Sequence, residues 1–67
     1  MDGYIRTLIQ YRFDSFRQFN PVPTNVSIFM TAYLIALEDA GSITNEELKR
    51  GAEKIEAWVK TQKEQHK

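Results

Sequence analysis

The chain has 67 residues, its nine Lys and Arg balance nine Asp and Glu, and it contains no cysteine. A chain of this length forms one domain and buries only about 60% of its unfolded surface. The lack of cysteine excludes disulfides and thiolate metal sites, and the single histidine, His66, cannot supply the set of about four ligands that structural zinc requires. A neutral domain is also a poor electrostatic match for a phosphate backbone, which disfavours nucleic acid as a partner.

The sequence carries no signal for a membrane or for export. No apolar run reaches the length of about 20 residues that a membrane-spanning helix needs. The start of the chain, MDGYIRTLIQYR, has no basic leader before an apolar core and no small-residue cleavage site. We therefore expect a cytoplasmic protein without a membrane partner.

The first predicted element is an amphipathic helix over residues 2–19, with Asp2 as its N-cap. Tyr4 and Tyr11 lie at the border of its apolar face, and Arg12 lies within that face. Apart from Arg12, the residues of the face are Ile5, Leu8, Ile9, Phe13, Phe16 and Phe19.

The second predicted helix covers residues 25–40 and follows the segment NPVP, residues 20–23. The two prolines of this segment end the first helix, because they favour extended backbone at and before each proline. Thr24 or Asn25 is the expected cap of the second helix. This helix is apolar on almost every side, which is typical of a helix that is buried on most sides. We therefore expect it to be central and to contact both other helices.

The stretch AGSITNEELKR predicts a turn into a third helix over residues 45–63. Gly41 is the left-handed residue that often ends a helix. Thr44 and Glu47 have the spacing of a capping box, and Ile43 before the cap is placed for a hydrophobic staple. This turn is the best specified corner of the sequence.

These elements together predict an all-α fold, a single three-helix domain over residues 1–67. Helices two and three are expected to form an antiparallel hairpin, because the turn between them is short. The end of the chain, residues 61–67, is polar and is expected to fray.

The turn does not fit a helix-turn-helix that reads DNA. With Gly41 as the turn glycine, that motif needs a small residue where the chain has Leu37, and apolar residues where it has Glu47 and Arg50. Glutamates at the start of a recognition helix would also repel phosphate. The sequence therefore favours a plain helical hairpin.

Residues 34–55, LIALEDAGSITNEELKRGAEKI, are similar to the short helical hairpin called the SHOCT domain. In that family a leucine-rich helix ends in AG, an isoleucine and a threonine follow, and a helix led by glutamate returns. The matching positions are Ala40, Gly41, Ile43, Thr44, Glu47 and Ala52. The resemblance covers about a third of the chain and implies a role in oligomerisation or association, with no catalytic residues to carry over.

The chain lacks the groups that catalysis requires. It has no cysteine, its histidine lies in the tail, and no general base accompanies Ser15, Ser27 or Ser42 in sequence. We therefore expect no enzyme, no cofactor, no metal and no small-molecule substrate.

The first two helices carry more large apolar side chains than three short helices can bury, and exposed apolar patches often mark interfaces. Arg12 either extends to solvent or pairs with Glu38 or Asp39, or it anchors a partner. Ile28 and Ile35 are either core residues, the favoured interpretation, or the seam of a dimer. The candidate partner-binding residues are Tyr4, Leu8, Tyr11, Arg12, Phe16, Phe19, Ile28 and Ile35.

The sequence thus predicts a small intracellular module for protein–protein interaction that self-associates or binds another protein. It would act as an adapter or, if it is phage-borne, as an inhibitor of a host protein. In size, neutrality and lack of cysteine it resembles many short helical proteins encoded by phages and prophages. The alternative is a nucleic-acid-binding accessory protein that uses Arg6, Arg12, Arg17 and the lysine-rich tail.

Overall fold

A computed structural model describes residues 2–65 of the chain. It contains three helices, α1 (Gly3–Phe19), α2 (Pro23–Asp39) and α3 (Asn45–Gln65), and residues 2–65 include no strand. α2 lies in the middle and packs against both α1 and α3. The predicted all-α fold of three helices is confirmed, and the contacts between α2 and α3 are consistent with the predicted hairpin.

The start and the end of α1 agree with the sequence. The carboxylate of Asp2 accepts a hydrogen bond of 2.7 Å from the backbone N–H of Tyr4, so Asp2 caps the helix as predicted. After Phe19 the chain becomes extended at Asn20. The side-chain oxygen of Asn20 accepts a hydrogen bond of 3.1 Å from the backbone N–H of Val22, which fixes the link to α2.

α2 begins two residues before its predicted start. Its first residue is Pro23, and its N-cap is Val22, which makes no side-chain capping bond. Thr24 and Asn25 lie inside the first turn, so their predicted role as caps is wrong. The physical reason is that the fixed φ of proline suits the first helical position, where no N–H is needed. The second proline of NPVP therefore starts a helix.

The corner between α2 and α3 has the geometry that the sequence predicts. Gly41 has a φ of +78°, in the left-handed region. Its N–H donates to the carbonyl of Glu38, and the N–H of Ser42 donates to the carbonyl of Leu37, each at 2.9 Å. These are the two bonds of a Schellman motif, and they satisfy carbonyls that the end of α2 leaves open.

The capping box of α3 is complete. The hydroxyl oxygen of Thr44 accepts from the N–H of Glu47 at 3.1 Å, and the Glu47 carboxylate accepts from the N–H of Thr44 at 2.9 Å. Because the Thr44 N–H donates to it, the Glu47 carboxyl has a pKa below its ordinary value. Ile43 is buried in the core, and Leu48 packs against that core, as a hydrophobic staple requires.

α3 extends to Gln65, beyond the predicted end at residue 63. Residues 61–65 are thus helical, and they are rich in Gln, Lys and Glu, all good helix formers. The expected fraying of the tail stays a prediction. His66 and the residue after it lie outside the described residues.

The core forms where α2 meets the two other helices. Its buried residues are Val26, Met30, Leu34, Ile43 and Ile55. Gly51 lies where α3 approaches α2, and a Cβ atom there would lie 2.8 Å from the Cδ1 atom of Leu34. The rings of Phe13 and Trp58 meet edge to face, with centroids 5.0 Å apart, and link α1 to α3.

Candidate interaction surfaces

α2 has an apolar face that neither neighbouring helix covers. Ile28 is 60% exposed and Ile35 is 46% exposed. They lie two turns apart on one face, and Ala32 between them is also exposed. The interpretation that favoured a core role for the two isoleucines is therefore wrong. α1 and α3 cover only the sides that carry the buried residues of α2, so the outer face stays in contact with solvent.

This face continues onto α1 through a pair of phenylalanines. Phe29 is 44% exposed, and its ring centroid lies 5.5 Å from that of Phe16, which is half-buried against the core. Phe19, one turn after Phe16, is 90% exposed, although the sequence placed it on the inward face of its helix. It is exposed because α1 ends there. We call Phe16, Phe19, Ile28, Phe29, Ala32 and Ile35 the α1–α2 surface.

Arg12 lies at the edge of the α1–α2 surface, one turn before Phe16. Its guanidinium carbon is 5.7 Å from the ring centroid of Tyr11 and 5.9 Å from that of Tyr33 on α2. Within residues 2–65 it forms no ion pair with Glu38 or Asp39, so that alternative for Arg12 is wrong. The exposed guanidinium instead contacts two aromatic rings, an arrangement that stabilises a cation by about 0.5–1 kcal/mol at exposed sites.

The other candidate residues lie along the outside of α1. Tyr4 and Tyr11 are exposed, and Leu8 is half-buried. Sequence reasoning did not select Phe29, which joins the two helices of the surface. No local pattern marked it, since neighbours on a helix differ by about 100° in direction and do not share a face.

The three arginines of the nucleic-acid alternative have different surroundings. Arg17 makes an ion pair of 2.7 Å with Asp14, and its guanidinium carbon lies 4.8 Å from the ring centroid of Phe13. Arg12 is directed towards α2, whereas Arg6 lines a groove on the α3 side of α1. Only Arg12 is therefore directed towards α2, and the nucleic-acid alternative stays a prediction.

That groove lies between α1 and α3 and has two adjoining parts, of about 590 Å³ and about 190 Å³. The two parts share the lining residues Ile9, Gln10, Leu34, Gly51 and Lys54. We call this feature the α1–α3 groove. Arg6 and Arg50 lie in its larger part, and Phe13 and Trp58 lie in its smaller part. The sequence did not predict the α1–α3 groove, because no local sequence pattern indicates how α1 packs relative to α3.

Comparison with known proteins gives no relative. The chain matches no family model, no curated protein and no solved structure. The similarity of residues 34–55 to the SHOCT hairpin therefore stays a prediction. In the described part of the chain, no group of three or more His, Asp or Glu side chains could hold a metal ion. No helix within residues 2–65 is long and apolar enough to cross a membrane.

Proposed function

We propose that this protein is a small interaction module that binds a second copy of itself, or another protein, through the α1–α2 surface. The observation that carries the proposal is the exposure of Ile28 and Ile35 on one face of α2, with the exposed Ala32 between them. Burying the part of each side chain that is still exposed would supply a fraction of the about 1.5–3 kcal/mol that complete burial contributes. Contact with a protein surface would supply that burial.

The make-up of the surface also supports a protein partner. Aromatic residues and arginine are enriched at the centres of interfaces, and this surface combines Phe19 and Phe29 with Arg12 at its edge. The spacing of the two isoleucines equals one heptad, the repeat by which one helix packs along another. Ala32 between them lets a second helix approach closely. A second copy, which presents the same face, is the simplest partner.

We expect the double variant I28E/I35E to lose association and to keep its fold. Each substitution places a carboxylate where a partner would have to bury it, while in the free chain both positions face water. Sedimentation over a wide range of concentrations measures the loss, and far-UV circular dichroism checks the helices. The control A57E/T61E adds two glutamates at exposed positions of α3 and should associate as the native chain does.

A native chain that stays monomeric and captures no protein would contradict the proposal, as would association of I28E/I35E at native strength. The adapter or inhibitor role is tested by using both chains as bait in a lysate of the source organism treated with nuclease. A target protein should be recovered in near-stoichiometric amount with the native chain and be lost with I28E/I35E.

A further inference from the structure

The α1–α3 groove is separate from the α1–α2 surface, and the two share no residue. α1 and α3 form its walls, and Met30 and Leu34 of α2 contribute buried side chains to its floor. The volume of its larger part, about 590 Å³, falls within the range of about 300–1,000 Å³ that is usual for sites that bind small molecules. The groove is therefore large enough for a small ligand.

Positively charged side chains outnumber negatively charged ones around the larger part of the groove, although the chain as a whole is neutral. Three cationic side chains line it, from Arg6 of α1 and from Arg50 and Lys54 of α3. One carboxylate lines it as well, that of Glu47, which accepts the N–H of Thr44 in the capping box. The balance is three positive charges against one negative charge, so this part of the groove attracts an anion.

The smaller part of the groove is apolar. Phe13, Met30, Ile55 and Trp58 line it, and the only charged residue there is Lys54, which it shares with the larger part. The Phe13 and Trp58 rings, with centroids 5.0 Å apart, bridge α1 and α3 at this end. A narrow aliphatic chain can lie against these rings.

We propose that the α1–α3 groove binds a small amphipathic carboxylate, with the carboxylate near Arg6 and Arg50 and a short aliphatic chain directed towards Trp58. Arginine is suited to this role because its guanidinium binds a carboxylate through two parallel hydrogen bonds. The sequence predicted no small-molecule substrate, and the site arises only when α1 and α3 are placed side by side.

The test uses decanoate below its micelle concentration and the emission of Trp58, the only tryptophan of the chain. We expect a saturable change in emission, with one decanoate bound per chain by titration calorimetry. Decanol and decyltrimethylammonium have matching chains without a negative charge, so they should bind at least about tenfold more weakly, the loss expected for one missing charge-assisted hydrogen bond.

Two variants locate the binding. R6Q/R50Q should weaken decanoate binding at least about tenfold, while K49Q/K60Q, which removes the same charge outside the groove, should bind as the native chain does. The proposal is overturned by an unsaturable signal, by many decanoates per chain, by equal binding of the three probes, or by equal affinities of the two variants. I28E/I35E should keep decanoate binding, so this test is independent of the association proposed above.

Discussion

Gly51 shows how one residue sets the distance between two helices. Glycine inside a helix costs about 1 kcal/mol relative to alanine, and Gly51 lies in the interior of α3. A Cβ atom there would come within 2.8 Å of Leu34, whose side chain is buried. Because glycine has only a hydrogen atom in place of a side chain, α3 can approach α2 closely beside Leu34, which lies at the floor of the α1–α3 groove.

We expect Gly51→Val to destabilise the fold by about 1–3 kcal/mol, the usual cost of overpacking a well-packed contact. The added side chain would have to displace Leu34 or move α3 away from α2. Urea unfolding followed by circular dichroism measures the change. Ala57→Val places the same side chain at an exposed position of α3 and should cost less than about 1 kcal/mol. Equal losses for the two variants would show that Gly51 has no packing role.

At the scale of the helices, the sequence determines the corner between α2 and α3 far better than the outward faces. The Schellman motif at Gly41 and the capping box of Thr44 use residues close in sequence, so their signals can be read directly. The face of α2 that carries Ile28 cannot be predicted in this way. A helix that is apolar on almost every side has no broad polar face to mark its outward side, and the docking of α1 and α3 decides which side is left uncovered.

The different starts of α2 and α3 lead to a testable contrast between two threonines. Thr44 caps α3 through its hydroxyl, so Thr44→Ala should cost about 0.5–2 kcal/mol. Thr24 lies in the first turn of α2, whose N-cap makes no side-chain bond. Thr24→Ala should therefore leave the free energy of unfolding nearly unchanged. Thermal unfolding of both variants measures the contrast, and a comparable loss in Thr24→Ala would mean that it caps α2 after all.

For the whole molecule, size limits what can be buried. A chain of 67 residues has little interior, and domains of this size often gain stability from association. The small size of the chain therefore explains why the residues of the α1–α2 surface stay exposed. The same residues offer a surface to which a partner can bind. The sequence predicted that some large apolar side chains stay exposed. It did not predict the α1–α3 groove, since that depends on the positions of all three helices together.

If the chain self-associates, its thermal stability must depend on its concentration, because a partner that binds only the folded state stabilises it by mass action. We expect the midpoint of thermal unfolding to rise when the native protein is concentrated. The midpoint of I28E/I35E should stay constant, because its chains remain apart. A native midpoint that does not respond to concentration would argue for a different protein as the partner.

The ring contact between Phe13 and Trp58 has a consequence for the order of folding. α1 contains no fully buried residue; it packs on α2 and meets α3 through this ring pair. The hairpin of α2 and α3, by contrast, joins neighbours in sequence, and its turn signals are local. The hairpin can therefore form early, and α1 can dock last and detach first. Because α1 forms one wall of the α1–α3 groove, a ligand bound there would contact both α1 and α3. It would thereby stabilise the packing of α1, the most weakly attached helix.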